Sequence, residues 1–180
     1  MIRPIEPRDY GECLAIYNHY IVDTTFTFET EPLTLEAFSA RIERIRARYP
    51  YFVCTDDTDG HVLGYSYLDK YSDRGAYRFT CDLSIYVAPA VRHMGYGHAL
   101  YAAVEEEAVR RGIYMIISIV TSVNPVSAAF HEAQGFVCNG VFEHVAFKHG
   151  KWLGVRYYQK EIRPTVGIPE EPQWIKEHII

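Results

Sequence analysis

Four cysteines, Cys13, Cys54, Cys81 and Cys138, are scattered along the chain with no Cys-x-x-Cys pair among them. That excludes a disulfide framework or a thiolate knuckle and reads as reduced usage, each thiol acting as a small apolar residue. Positive charge is scarce as well. The net charge is −5, and the one basic block, Arg41 to Arg48, has its arginines at the spacing of a wet helix face, which argues against a nucleic-acid surface. Long apolar runs are missing: Tyr114 to Val120 falls far short of the roughly 20 residues that span a bilayer. No leader-like segment opens the chain, so the expected location is the cytoplasm and no membrane partner is expected. Histidines do not gather into ligand sets, since His93 and His98 are five apart, His131 and Glu132 are adjacent, and His144 and His149 straddle a turn; no catalytic metal is expected. The third glycine of a dinucleotide fingerprint and the lysine of a phosphate loop are also absent, which disfavours both of those nucleotide folds.

What is present suits one domain: 180 residues, 48% hydrophobic and 23% charged. The most informative stretch runs from Asp82 to Leu100. It begins as an alternating strand, with Leu83, Ile85 and Val87 on one face and Asp82, Ser84 and Tyr86 on the other. The first face reads as core and the second as the one carrying chemistry. After Pro89 comes a turn with Gly95 and Gly97, then a helix with Leu100, Ala103, Val104, Glu107 and Ala108 at helical spacing and Gly112 as its C-terminal stop. Free N–H groups at such a helix start form a cradle for phosphate, each favourable charge contributing about 0.3–1 kcal/mol, and Arg92 and His93 add donors.

The rest of the pattern predicts a short strand at Ile2 to Pro4, a helix from Pro7 to Tyr20, an aromatic loop at Thr24 to Glu29, and a helix from Thr34 ending before Pro50. Strands follow at Tyr51 to Thr55 and His61 to Leu68 around Asp57-Thr58-Asp59-Gly60, with a third at Tyr77 to Val87. Beyond the glycine-bearing helix come an apolar strand at Met115 to Val120 and a helix from Pro125 that Asn124 can cap and Gly135 ends. Two strands, Phe136 to Val145 and Lys151 to Ile162, turn around Gly150, and the tail from Arg163 to Ile180 reads as an extended arm.

Arg92-His93-Met94-Gly95-Tyr96-Gly97 resembles the Arg/Gln-x-x-Gly-x-Gly/Ala loop by which the GNAT acetyltransferase superfamily grips the pyrophosphate of acetyl-coenzyme A. Asn124 to Phe136 resembles the later Asn-x-x-Ser…Glu-x-x-Gly-Phe segment of the same superfamily, in the right order. Ile16-Tyr17-Asn18, Tyr77 to Val87 and Phe147 to Leu153 are similar to the phosphinothricin / methionine-sulfone N-acetyltransferase group. The resemblance covers residues 2 to 162. It implies a mixed α/β GNAT fold, a mostly antiparallel twisted sheet of about seven strands with about four helices, with residues 1–162 as the domain and 163–180 as the tail.

The implied activity is transfer of acetyl from acetyl-coenzyme A to the α-amine of a small amino-acid-like acceptor such as phosphinothricin, methionine sulfone or methionine sulfoximine. In that group a Glu takes the amine's proton; here the position is Asp82, whose carboxylate is set back by about 1.5 Å, one C–C bond, so that proton transfer runs directly or through water. Unperturbed Asp, at a pKa of about 3.9, is a weak base unless burial raises it. The structural alternative for Asp82 is an ion pair with Arg74 or Arg78. Ser84 and Tyr86 share its face as further catalytic candidates. The resemblance assigns the donor to the backbone of Ile85, Tyr86 and Val87, to Arg92, His93, Met94, Gly95, Tyr96, Gly97 and His98, and to Asn124 and Ser127. It assigns the acceptor to Arg74, Gly75, Ala76, Tyr77 and His131, while the aromatic loop offers Phe26 or, preferred, Phe28 as a wall. Arg74 reads equally as an exposed loop residue, Asn124 as a helix cap and His131 as a satisfied core histidine. A homodimer is expected from the group. Two other functions stay open: acetylation of protein or peptide amines, and non-catalytic sensing of acetyl-coenzyme A.

Overall fold

A computed structural model describes residues 1–174; the last six residues of the expected tail lie outside the described residues. Seven strands form one sheet in the order β1-β2-β3-β4-β5-β7-β6: β1 Ile2–Pro4, β2 Tyr51–Thr55, β3 Val62–Lys70, β4 Thr80–Val87, β5 Met115–Thr121, β6 Val137–Lys148 and β7 Lys151–Glu161. Four α-helices flank it: α1 Tyr10–Asp23, α2 Leu35–Arg46, α3 Tyr96–Arg110 and α4 Pro125–Ala133. This is the mixed α/β architecture expected. Several boundaries differ by one to three residues, with α1 running on to Asp23, β3 to Lys70 and β6 to Lys148, and two of the differences come from 3-10 turns. The first helix opens as a 3-10 turn over Pro7–Asp9, where Pro7 has no N–H to give and Asp9 accepts from the Glu6 amide at 2.8 Å. Residues Gly75–Tyr77 form a second 3-10 turn, so the strand expected from Tyr77 begins at Thr80; the Tyr77 amide bonds back to the Arg74 carbonyl at 3.0 Å and is spent on the turn.

Every neighbouring pair is antiparallel except β4 and β5, which the α3 crossover makes parallel. Their ladder is short: Thr80 pairs with Met115, Cys81 with Ile116 and Asp82 with Ile117, and no pair joins the two strands further on. Past Asp82, one side of the backbone of β4 therefore has no ladder partner on β5.

Both faces of β4 are covered. Cys81 and Leu83 are buried on the face where α3 lies, with Leu100, Tyr101, Val104 and Ala108 of that helix. Ser66 of β3 donates its hydroxyl to the Leu100 carbonyl at 3.1 Å. The other face, which the alternation marked for chemistry, lies beneath α1 and is half-buried: Tyr86 meets Tyr17 edge-on at 5.0 Å, Tyr20 at 5.4 Å and Tyr65 at 5.3 Å. Tyr51, Tyr65 and Tyr67 stack across β2 and β3. The apolar face and the polar face of the strand are thus both packed, because a sheet with helices on each side has no wet face.

The described part of the tail is extended and strapped down. Arg78 forks onto Glu171 at 2.8 and 2.6 Å, the Gln173 amide donates to the Arg111 carbonyl at 2.7 Å, and Trp174 packs edge-on against Tyr49 with Arg48 over its ring. No described helix is long and apolar enough to cross a membrane.

Close approach of α3 to the sheet is possible because position 64 is glycine. A Cβ there would stand 2.8 Å from the Tyr86 carbonyl oxygen and 3.2 Å from Leu100. Gly64→Ala is expected to cost about 1–3 kcal/mol by overpacking against backbone, read as a lowered denaturant midpoint with an unchanged slope; an unchanged midpoint would mean the strand shifts freely.

Candidate active site

The divergence of β4 and β5 opens a cavity of about 780 Å³. Leu83 to Val87 form one wall, Ser118 to Val120 the other, α3 and its preceding loop one end, and α4 with Asn124 the floor. At the α3 end the chain turns through left-handed backbone at His93 (φ 65°) and Gly95 (φ 88°), and α3 starts with no side-chain cap, leaving its first N–H groups free toward the cavity end. Gly97 faces the cavity where a Cβ would already be 3.4 Å from the Phe130 ring. Arg92 lies over the Tyr20 ring at 5.2 Å, and one of its terminal nitrogens is buried with no hydrogen-bond partner. A buried, unpaired guanidinium nitrogen beside free helix N–H groups is chemistry suited to a diphosphate.

Of the residues assigned to the donor, all but Met94, which is exposed, line this cavity. Asn124 caps α4, its side-chain oxygen accepting from the Ser127 amide at 3.1 Å, while its amide nitrogen makes no hydrogen bond among the described residues. Tyr20, which the sequence reading passed over, fixes this wall: its hydroxyl donates to the Val87 carbonyl at 2.7 Å. Phe26 lines the cavity, whereas Phe28 is exposed and does not.

Ser84 and Tyr86 line the cavity, and the lining stops one residue short of Asp82. Asp82 forms an ion pair with neither Arg74 nor Arg78; Arg78 is taken by Glu171, and the Arg74 side chain has no partner among the described residues. One carboxyl oxygen of Asp82 is buried without a hydrogen bond. Burial first, then the charge of Asp69, push its pKa up to about 7, against a smaller lowering by the Leu83 amide. Burial likewise holds the Tyr86 phenol well above its ordinary value, so it keeps its proton.

Arg74 to Tyr77 are exposed and lie before the N-terminal end of β4, the opposite end from the cradle. Eight residues of strand separate the two, roughly 25 Å. Asp82, third in the strand, stands nearer to that loop than to the cradle. His131 lines the cavity but is buried, stacked on Tyr158 at 5.6 Å, with Nδ1 donating to the Ser127 carbonyl at 2.7 Å. Desolvation lowers its pKa, so it is neutral with Nε2 as an acceptor. Lys148 lies outside the cavity lining. It is buried at the tip of the β6–β7 hairpin, its Nζ donating to the Thr27 carbonyl of the aromatic loop at 2.7 Å.

Residues 13–136 match the acetyltransferase (GNAT) family. The chain belongs to that family. It is similar to the phosphinothricin N-acetyltransferase of Alcaligenes faecalis, 34% identical over 89% of this chain and 82% of the relative. The L-methionine sulfoximine/L-methionine sulfone acetyltransferase of Pseudomonas aeruginosa is 31% identical over 93% of this chain and 98% of its own. Among solved structures, a GNAT superfamily phosphinothricin acetyltransferase from Sinorhizobium meliloti, in complex with acetyl-coenzyme A, superposes with a TM-score of 0.92 at 29% identity, covering 99% of this chain and 96% of that one. The chain is accordingly an acetyltransferase of the GNAT fold.

Because the native state holds the Asp82 proton that an unfolded chain, at the ordinary Asp pKa of 3.8, releases, the contribution of Asp82 to stability falls as pH rises from about 4 to about 7. Asp82→Asn removes that penalty and is expected to raise stability at pH 8 by about 2 kcal/mol, after discounting about 1.4 kcal/mol per pKa unit for partial exposure. Denaturant melts at pH 8 and pH 5 check this: the gain shrinks at pH 5, and an equal effect at both would mean Asp82 is ionised throughout.

Proposed function

We propose that the protein transfers the acetyl group of acetyl-coenzyme A to the α-amine of a small amino-acid-like acceptor, of the phosphinothricin or methionine sulfone/sulfoximine kind, with Asp82 as the base. The acceptor class comes from the names of the relatives. The observation that carries the mechanism is an unpaired, buried carboxyl between a diphosphate cradle at one end of β4 and an exposed arginine-bearing turn at the other.

In this reading the diphosphate rests on Arg92 and the N–H groups from Gly95 to His98, and the pantetheine arm runs along the free backbone edge of Ile85 to Val87, with Asn124 and Ser127 on its other side. The thioester then lies near Ser84. The acceptor enters from the Arg74 end, where the fork of Arg74 pairs with its carboxylate or phosphinate, Gly75 to Tyr77 surround it, and His131 and Phe26, which line the cavity, close the pocket. An ammonium has no lone pair, so its proton must leave first; Asp82, with a pKa of about 7, accepts it directly or through one water. The amine nitrogen adds to the thioester carbonyl, the C–S bond breaks, and the thiolate takes up a proton, for which the protonated Tyr86 is placed.

Two further features belong to the proposal. Residues 1–162 form the catalytic domain and 163–180 are an appendage. The protein pairs with itself in the cytoplasm: β6 is the outer strand of the sheet, and Val141, Phe142, Val145, Phe147 and Trp152 are exposed on β6 and the start of β7.

The test is release of coenzyme A thiol with phosphinothricin, methionine sulfone, free amino acids and a peptide amine. Turnover on the analogues supports the reading; turnover on the peptide alone moves it to protein acetylation, and tight acetyl-coenzyme A binding with no turnover to a sensor. Asp82→Asn is expected to lower kcat by about 10²–10⁴ with the Kd for acetyl-coenzyme A unchanged, and undiminished kcat would remove Asp82 as the base. Gly97→Val, which sets a branched side chain against Phe130, should weaken acetyl-coenzyme A binding by roughly tenfold or more, about 1.4 kcal/mol, in calorimetry; normal affinity would place the diphosphate elsewhere.

A further inference from the structure

Asp69, on β3, lies directly opposite Asp82 in the antiparallel β3–β4 ladder. Opposed residues share a face with Cβ atoms about 4.5–5.5 Å apart, and like charges so placed normally destabilise a sheet. The two carboxyl groups are treated very differently. Asp69 is clasped by Arg44 of α2, whose terminal nitrogens stand 3.1 and 2.7 Å from its two oxygens, and the Lys70 amide donates to it at 2.8 Å. Asp82 has a buried oxygen with no partner. The other groups around it are Tyr67 on β3, Cys81 and Ser84 on its own strand and Ile117 on β5. From α2, the arginines are committed elsewhere: Arg44 to Asp69, and Arg41 to Glu29 at 2.5 Å. Asp82 thus faces a fixed negative charge whose own counter-charge is spent.

We propose that Asp69, held in the fork of Arg44, is a positioning residue that makes Asp82 hold a proton near neutral pH and so fits it to accept one from the acceptor amine. The proposal rests on the reading of Asp82 as the base. A weakly placed neighbour would be free to turn into solvent; the Arg44 fork keeps the Asp69 charge pointed across the ladder. Arg44 also screens that charge, and because the ladder register already holds the Asp69 backbone opposite Asp82, its screening outweighs its fixing.

The test uses Asp69→Asn and Arg44→Gln in the full chain, with carboxyl-¹³C NMR titration of Asp82, its resonance assigned by loss in Asp82→Asn. Asp69→Asn is expected to lower the Asp82 midpoint by about one pH unit, the size expected for a like charge about 5 Å away in a partly solvated site. Arg44→Gln is expected to raise it. Both variants break the same ion pair, so a role confined to tying α2 to the sheet predicts similar stability losses and no shift. An unmoved midpoint in Asp69→Asn, or shifts of the same sign in the two variants, overturns the proposal. Arg44→Lys, which keeps the charge and loses the fork, should give a smaller shift than Arg44→Gln and guards against misfolding of the latter. If Asp82→Asn abolishes turnover while the midpoint ignores Asp69, only the tuning fails; if Asp82→Asn turns over normally while the shifts are opposed, only the base assignment fails.

Discussion

Three residue pairs are all that hold β4 to β5, and the site follows from where that ladder ends. A right-handed β4–α3–β5 crossover must bring its two strands side by side in parallel, but nothing requires them to stay paired for their whole length. Because they part after Asp82 and Ile117, the backbone of Leu83 to Val87 loses its partners on one side. Such groups cannot be left dry and empty without cost. Tyr20 meets one of them, the Val87 carbonyl, and the others front the cavity. The same divergence puts the N-terminus of α3 at the open end, so that backbone edge and helix dipole converge on one elongated slot.

The tyrosine-rich packing beneath this slot sets its electrostatics. Tyr17 and Tyr20 meet Tyr86 edge-to-face, Tyr65 meets it at a tilt, and together they fill the space under α1 with large, weakly polar groups. Asp82 is buried further along the same face, near Tyr67, and a carboxylate in such surroundings loses hydration that no cation restores. The fate of a buried carboxyl is then to keep its proton longer, which is the property asked of a base that must work near neutrality. Burial rather than any single hydrogen bond makes the larger contribution here.

Much of this was legible in the sequence. The alternation of Asp82 to Val87, the Gly95-x-Gly97 turn, Asn124 before Pro125 and Gly135 after it report local constraints, and local constraints are written locally: positive φ at Gly95 and Gly135, a cap at Asn124. The seven strands and four helices followed for the same reason. What was not legible depends on register. Nothing near Asp69 shows that it faces Asp82 across the ladder, because the intervening Tyr71 to Phe79 segment is a loop with a 3-10 turn rather than a tight hairpin that would fix the pairing. Tyr20 escaped for a related reason: it reaches the cavity from a helix whose docking is tertiary, and an aromatic on a helix stripe reads as core whether or not its hydroxyl faces a cavity.

On the proposed mechanism an Asp stands at position 82 where the resemblance implies a Glu. A carboxylate shorter by about 1.5 Å is withdrawn from the lining, and the cavity wall indeed begins at Leu83 rather than at Asp82. Withdrawal alone would weaken a base, since proton transfer falls off steeply beyond hydrogen-bond reach. Yet Asp82 is desolvated and lies under the influence of Asp69, both of which raise its affinity for a proton. Distance and basicity therefore move in opposite directions. One water between Asp82 and the amine restores the reach at little cost, because a bridging water forms bonds nearly as favourable as a direct one. On the proposed mechanism the shorter side chain gives up direct contact with the amine and gains a carboxyl that titrates where the reaction needs it.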